Sequence, residues 1–411
     1  MARYSVGTFF DRKAYPVRVL QLHNHHQSKG GAMEVLAHEA ELLSEHGHAV
    51  DQYTLPATET MGLGAVRAGV KAIWNVEASR EVTRRIRTFE PDVVHVHTPF
   101  PLMSPAVFRA AARAGVPTVT TLHSYRWSCI AATCFRDNGI CEDCVGKRLK
   151  LAGVRHRCYH DSLGASAALT AGLVLHRQLG TLDQIDRFIT LTGFAKRLLI
   201  RDGVPASQIV VKANSVPDPG REGQPSDEAP YVAFIGRFID VKGIRTLLEA
   251  WPNVKPGLTL KIAGDGELRS LVEERAAADS TIEYLGWRSE EEIGALMGGA
   301  QCVIVPSEWY EGLPLVILRS LSFGTPIVVS DLENICDEVV ADGAGITFDV
   351  GSPASLAQAL DSVVSDRPQW QGRRARARQS YLDRYSPAGD LDRLTAIYSA
   401  VIEARRSPAA R

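Results

Sequence analysis

Short apolar runs and helix-period stretches take turns along most of this chain. Val17–His23 reads as a strand, Met33–His46 as a helix stopped at Gly47, and Val93–His97 as a strand after the break at Glu90-Pro91-Asp92. Pro105–Ala114 follows as a helix closed by Gly115, then strand Pro117–Leu122, strand Phe188–Leu191, helix Phe194–Arg201 and strand Ile209–Val211. Strands separated by helical lengths argue for a parallel sheet with helical crossovers. Residues 215–230, SVPDPGREGQPSDEAP, have no period and are rich in Pro, Gly and acid, the composition of a linker. Beyond them lies a second alternating block, with strands Tyr231–Ile235, Leu258–Ala263, Ile282–Leu285, Cys302–Val305 and Ile327–Val329. The pattern predicts two Rossmann-like α/β domains facing each other across a cleft, residues 1–214 and 231–385. The tail, 386–411, places Leu391, Leu394, Ile397, Tyr398 and Val401 on one helical face, expected to pack back on the first domain.

Residues 124–185 interrupt the alternation. They hold a cysteine-rich stretch, a basic run from Lys147 to Arg157 and the Ala/Leu-rich segment Ala165–Leu179. The basic run and that segment suit a membrane surface and a lipid-linked acceptor; a core helix beside a solvated basic loop is the plainer reading.

Composition narrows the class. At 411 residues two domains are expected, and 45% apolar with 23% charged residues is ordinary for a globular protein. A net charge of −1 gives no field that would draw the chain to nucleic acid. The first 16 residues lack the apolar core of a signal peptide, and no apolar run is long enough to span a bilayer, so a cytoplasmic location is expected. Clustered cysteines in a reducing compartment are thiols or metal ligands.

The most specific stretch is residues 301–331, QCVIVPSEWYEGLPLVILRSLSFGTPIVVSD. A buried strand ends at Pro306-Ser307, Glu311-Gly312 opens an apolar helix, Gly324-Thr325-Pro326 stops it, and Ile327–Val329 is the next strand. Such a unit sets an acidic loop at the carboxyl end of a parallel sheet, where open α/β sheets bind ligands. Three further features share that domain. Phe234-Ile235-Gly236-Arg237 with Lys242-Gly243 offers cations near a helix start, suited to a diphosphate or to plain solvent. Ile262-Ala263-Gly264-Asp265-Gly266 is a tight glycine turn, and Leu285-Gly286-Trp287 offers an aromatic wall or ordinary packing. In the first domain Lys29-Gly30-Gly31-Ala32 precedes a helix, and His95, His97 and His123 lie in or just after strands, where histidines are more often structural than catalytic.

The order and spacing of these features resemble glycosyltransferase family 4, retaining enzymes of GT-B fold. The resemblance implies a nucleotide-sugar donor, a hydroxyl acceptor such as a sugar, and no catalytic metal. Arg237 and Lys242 would neutralise the diphosphate, Glu311 would hold sugar hydroxyls, and His123 would face the sugar. Gly30, Gly31, Gly236, Gly264 and the backbone of Gly312-Leu313-Pro314 would line the donor. Where the family has its second Glu, eight positions after Glu311, this chain has Arg319. A guanidinium only donates, so it cannot accept the ribose hydroxyls as a carboxylate does. Three alternatives follow: weaker nucleotide binding, a donor with an extra anionic group, or a degenerate site. The last would make the chain a catalytically impaired binding or scaffold protein. A dinucleotide dehydrogenase is not indicated, since no G-x-G-x-x-G follows the first strand of either domain.

Cys129, Cys134, Cys141, Cys144 and Cys158 fall close together, with Cys141-Glu142-Asp143-Cys144 a C-x-x-C pair. Cys129, Cys141, Cys144 and Cys158 make a four-thiolate set, the count of a structural zinc or, second, an iron–sulfur cluster. Free thiols or a redox pair are the plainer readings. A subset of the resembling family carries a similar run, matched here at 136–139, 141–144 and 156–159; the additional Cys134 is a spare thiol or takes the place of Cys129.

Overall fold

The structure, a computed structural model, describes residues 16–25, 31–56, 64–225, 229–336, 340 and 342–407. The first domain contributes strands β1 (Arg18–Asn24), β2 (Ala49–Leu55), β3 (Val93–Thr98), β4 (Thr118–Leu122), the short β5 (Phe135–Arg136) and β6 (Gly139–Ile140), then β7 (Arg187–Thr190) and β8 (Ile209–Val211). The second contributes β9 (Tyr231–Ile235), β10 (Thr259–Ala263), β11 (Ile282–Gly286), β12 (Cys302–Val305), β13 (Ile327–Ser330) and β14 (Gly345–Phe348). Two six-stranded parallel sheets result, ordered β2-β1-β3-β4-β7-β8 and β11-β10-β9-β12-β13-β14. In each, the chain direction across the sheet reverses beside its first strand: between β1 and β3, and between β9 and β12. Such switch points open a crevice at the carboxyl ends of the strands.

The strands of the second sheet are nearly continuous apolar runs because helices cover both faces; those of the first also bury polar residues, among them Gln21, His95, His97 and Thr121. Two strands escape the sequence pattern. β2 (AVDQYTL) lies at a sheet edge with most residues only half-buried, so its polar alternation hides it. β14 is an edge strand of four residues that opens on Gly345.

The linker is not loose. Val216 is buried; its N–H donates to the Tyr385 carbonyl and its own carbonyl accepts from the Tyr381 hydroxyl. The terminal helix Pro387–Arg406 crosses back, as expected, and sets Leu394, Ile397, Tyr398 and Val401 among Val19, Val93, Val119 and Ile189 of the first domain. A buried ion pair between Lys212 and Asp390, 2.5 Å apart, fixes that crossing.

Ala165–Leu179 does not form a free amphipathic face. The helix Leu163–Gln178 buries Leu169, Gly172, Leu173 and His176, and Gly172 lies so close to the backbone of Ala72 and Ile73 that a Cβ would stand 3.0 Å from the Ala72 oxygen. It is a core helix, packed on the helix Ala65–Ile73. Among the described residues no helix is long and apolar enough to cross a membrane.

Candidate donor site in the interdomain cleft

Both switch points face the cleft, and the sequence-predicted residues gather there. Lys242 closes a short turn, Asp240–Lys242, ended by Gly243 at φ +69°. A Cβ on Gly243 would lie 1.8 Å from the Pro306 carbonyl oxygen, so only glycine lets this turn sit on the end of β12. The Glu308 N–H, bonded to the Val241 carbonyl at 2.9 Å, locks the two loops together. Lys242 Nζ thereby meets both carboxylate oxygens of Glu311, at 2.8 and 2.7 Å. The Ser307 hydroxyl also donates to that carboxylate. Arg237 is exposed on the neighbouring turn and makes no ion pair among the described residues.

Glycines bring the turns together. Gly264, at φ +143°, would carry a Cβ 1.9 Å from the Gly236 oxygen, which ties the turns after β9 and β10. Gly312 faces the other domain: a Cβ there would stand 2.8 Å from the His123 carbonyl. The Tyr125 hydroxyl crosses the same gap to the Glu311 carbonyl at 2.7 Å, and Asn334 Nδ2 donates to that oxygen as well. Leu313 is buried, Pro314 precedes the helix Leu315–Ser322, and Leu315 would touch a Cβ on Gly31 at 3.2 Å. The first-domain helix start therefore lies against the motif helix. Gly30 falls outside the described residues.

Arg319 is engaged across the cleft. Its guanidinium pairs with Glu34 of the first domain and lies 3.3 Å from Glu290. Trp287, by contrast, is 76% exposed, which removes the packing reading.

His123 follows β4 directly. Burial first, then the neighbouring His97 and His23, hold its ring well below the ordinary imidazole range, so it is neutral at pH 7. Behind it lies a polar cluster that sequence reasoning missed as a unit. Glu39 is buried on the apolar stripe of the helix Gly31–Glu45, beside Val35, Leu36, Leu42 and Leu43; a carboxylate inside such a stripe was the available signal. One of its oxygens faces Gln21 Nε2 at 2.8 Å, His95 Nδ1 at 3.0 Å and His97 Nε2 at 3.2 Å. Burial alone would raise the Glu39 pKa, but His95 and His97 bring it well below the usual carboxylate value. Burial takes His95 down to about 4.

The predicted cysteines lie in one lobe between β4 and β7. Zinc–sulfur bonds of about 2.3 Å need thiolates roughly 4 Å apart. Among the described residues the only three-ligand group with its atoms within 4.8 Å of one another is Glu39, His95 and His97. Cys129, Cys141, Cys144 and Cys158 are thus in one lobe but not drawn into a ligand set. Cys134 is buried beside Cys129, and its thiol brings the Cys129 pKa down to about 6. Lys150 anchors the lobe, its buried Nζ 2.9 Å from Asp202 and bonded to the carbonyls of Ser128 and Cys144.

Comparison with known proteins agrees with this architecture. Residues 30–215 match the family model described as a glycosyl transferase 4-like domain, and residues 220–380 match that of glycosyl transferases group 1. A glycogen synthase of Mycobacterium tuberculosis is 26% identical over 331 residues, 79% of this chain and 70% of its own length. A phosphatidyl-myo-inositol mannosyltransferase of Mycolicibacterium smegmatis is 26% identical over 371 residues, 85% of this chain and 84% of its own. In fold, the chain resembles Anabaena HepE crystallised with UDP and glucose, at a TM-score of 0.64 and 16% identity, over 93% of this chain and all of that one. Two facing parallel-sheet domains with these matches define a glycosyltransferase of the GT-B class. Within that class the chain joins a 4-like first domain to a group 1 second domain.

Proposed function

We propose that the chain moves a sugar, a hexose or a related unit, from a nucleotide-sugar to a hydroxyl of a carbohydrate acceptor, with retention and without a catalytic metal, in polysaccharide or glycoconjugate synthesis. The observation that carries this reading is the pairing of Lys242 with Glu311, beside a Gly312 that abuts the His123 carbonyl, where the switch points of both sheets face each other. The bond from the anomeric carbon to the diphosphate breaks and a bond to the acceptor oxygen forms on the same face. The acceptor proton passes to the departing phosphate oxygen. Lys242 and Arg237 offset the charge that develops on the diphosphate, and Glu311 orients sugar hydroxyls. Gly31, Gly236, Gly264 and the Gly312-Leu313-Pro314 backbone let phosphate and sugar approach closely. Closure of the cleft excludes water.

The acceptor groups that Arg319 lacks stand beside it as the carboxylates of Glu34 and Glu290, which supports an active enzyme. An impaired binding or scaffold protein is the second reading, favoured by Arg319 alone. The exposed Leu149, Leu151 and Leu163 beside the run from Lys147 to Arg157 suit a lipid-linked acceptor met at the cytoplasmic face of a membrane. We carry a structural zinc at the cysteine lobe as a separate proposal that rests on thiol count.

A panel of nucleotide-sugars with released-nucleotide detection tests the main reading. Wild type is expected to turn over at least one donor, and Glu311→Gln and Lys242→Ala each to lose about 100-fold or more in kcat with the fold intact. Full activity of both variants at saturating donor overturns the assignment.

A further inference from the structure

The cluster behind His123 has a direction. His97 Nδ1 lies 3.0 Å from His123 Nε2, and the two rings stack with their planes 12° apart. At its other nitrogen His97 faces the Glu39 carboxylate at 3.2 Å, an approach off the line of a good hydrogen bond. The misalignment does not change which atom holds the proton. A bare nitrogen there would set a lone pair against a buried anion, so His97 Nε2 is protonated. A neutral His97 that donates from Nε2 has only a lone pair at Nδ1. Between Nδ1 of His97 and Nε2 of His123 the proton must then belong to His123. A neutral His123 with its proton on Nε2 has a lone pair on Nδ1, its remaining polar atom.

The neighbours hold this arrangement. Gln21 donates to the same Glu39 oxygen, and the Gln21 carbonyl accepts from Gln52 at 2.9 Å, which fixes the amide's orientation. His95 sets its Nδ1 between the same Glu39 oxygen, at 3.0 Å, and the Tyr398 hydroxyl, at 2.7 Å, with its Nε2 2.8 Å from the Thr121 hydroxyl. All of Gln21, Glu39, His95 and His97 are buried, so water does not scramble the network.

We propose that Glu39 and His97 are positioning residues for His123: the carboxylate fixes the His97 tautomer, and His97 holds His123 with its proton on Nε2 and its Nδ1 lone pair as an acceptor for a hydroxyl of the transferred sugar. The sugar part of this inference rests on the glycosyl-transfer reading; the tautomer chain does not. The relay makes His123 an orienting acceptor and not an acid, because its only proton is spent on His97.

Nitrogen-15 NMR of histidine-labelled protein reads the tautomer without any substrate. In wild type, His123 is expected to show a protonated Nε2 and a bare Nδ1. Glu39→Gln, which removes the charge that orders His97, is expected to give mixed tautomer signals at both rings and a kcat about 10-fold or more lower, with donor KM little changed. Glu39→Asp, which keeps the charge, is expected to retain a single His123 tautomer and more activity than Glu39→Gln. A proton on Nδ1 of His123 in wild type overturns the relay and needs no variant that folds. So does Glu39→Gln with both tautomer and kcat unchanged. If no nucleotide-sugar is turned over, the functional reading fails while the wild-type tautomer still decides the relay.

Discussion

Gly243 and Gly47 both have positive φ, +69° and +84°, yet their surroundings differ completely. A Cβ on Gly47 would meet nothing within 4 Å, whereas one on Gly243 would strike the Pro306 carbonyl. Alanine at 47 therefore meets only left-handed backbone strain, about 1–2 kcal/mol. Alanine at 243 adds a clash that neither backbone can relieve without moving Lys242 away from Glu311. Denaturant midpoints and donor KM on the pair check this: Gly243→Ala is expected to lose more stability than Gly47→Ala and to raise donor KM, while Gly47→Ala leaves KM unchanged. Equal effects on both measures would remove the contact argument. Glu311, Lys242 and the glycines were legible at this scale because their spacing is local. Glu39 and Asn334 were not, since the histidine partners of Glu39 lie 56 or more positions away and Asn334 reaches the Glu311 carbonyl 23 positions away.

Among elements, the cysteine lobe between β4 and β7 depends most on single ties. Residues 124–160 of it hold, as regular elements, the two-stranded β5–β6 ladder and the short helix Leu151–Arg155, ahead of the helix Leu163–Gln178. Lys150 and Asp202 give it one buried ion pair. If the lobe also holds zinc, elemental analysis of protein purified without chelator is expected to find one equivalent, and chelation to loosen residues 124–160. Less than half an equivalent, with the thiols titrating freely, leaves Lys150 and packing as what holds it. The strands that sequence patterning located, such as β8, β9 and β12, are short apolar runs bounded by breakers. β2 was missed because its residues are mostly half-buried and interrupted by polar ones, and β14 because only four residues, opening on Gly345, carry it.

For the whole molecule, the cluster of Glu39, His95 and His123 couples stability to pH. His95 titrates at about 4 in the folded chain and His123 well below its usual value, so between about pH 6.5 and 4 the unfolded chain binds protons that the folded chain refuses. Glu39 extends the same sign below its ordinary carboxylate value, because its folded form also resists protonation. The buried histidines are thus expected to make stability fall on acidification below about pH 6.5, by about 1.4 kcal/mol per pH unit for each such proton. Urea midpoints measured from pH 7.5 to 4.5 check it; a midpoint that rises on acidification would show the buried histidines charged in the fold.

The sequence by itself determined two α/β domains, the linker, the returning tail helix and the donor-side motif. Each is written in apolar periodicity or in residues close along the chain, and such signals need no partner to be read. Only the tertiary structure decided that Arg319 bridges to Glu34, that Gly312 abuts His123, that Ala165–Leu179 is core, and that Glu39 of a helix stands beside two histidines of β3. Those outcomes depend on which side chains the sheet order and the closing of two domains bring together, and a linear pattern carries no term for distance in space.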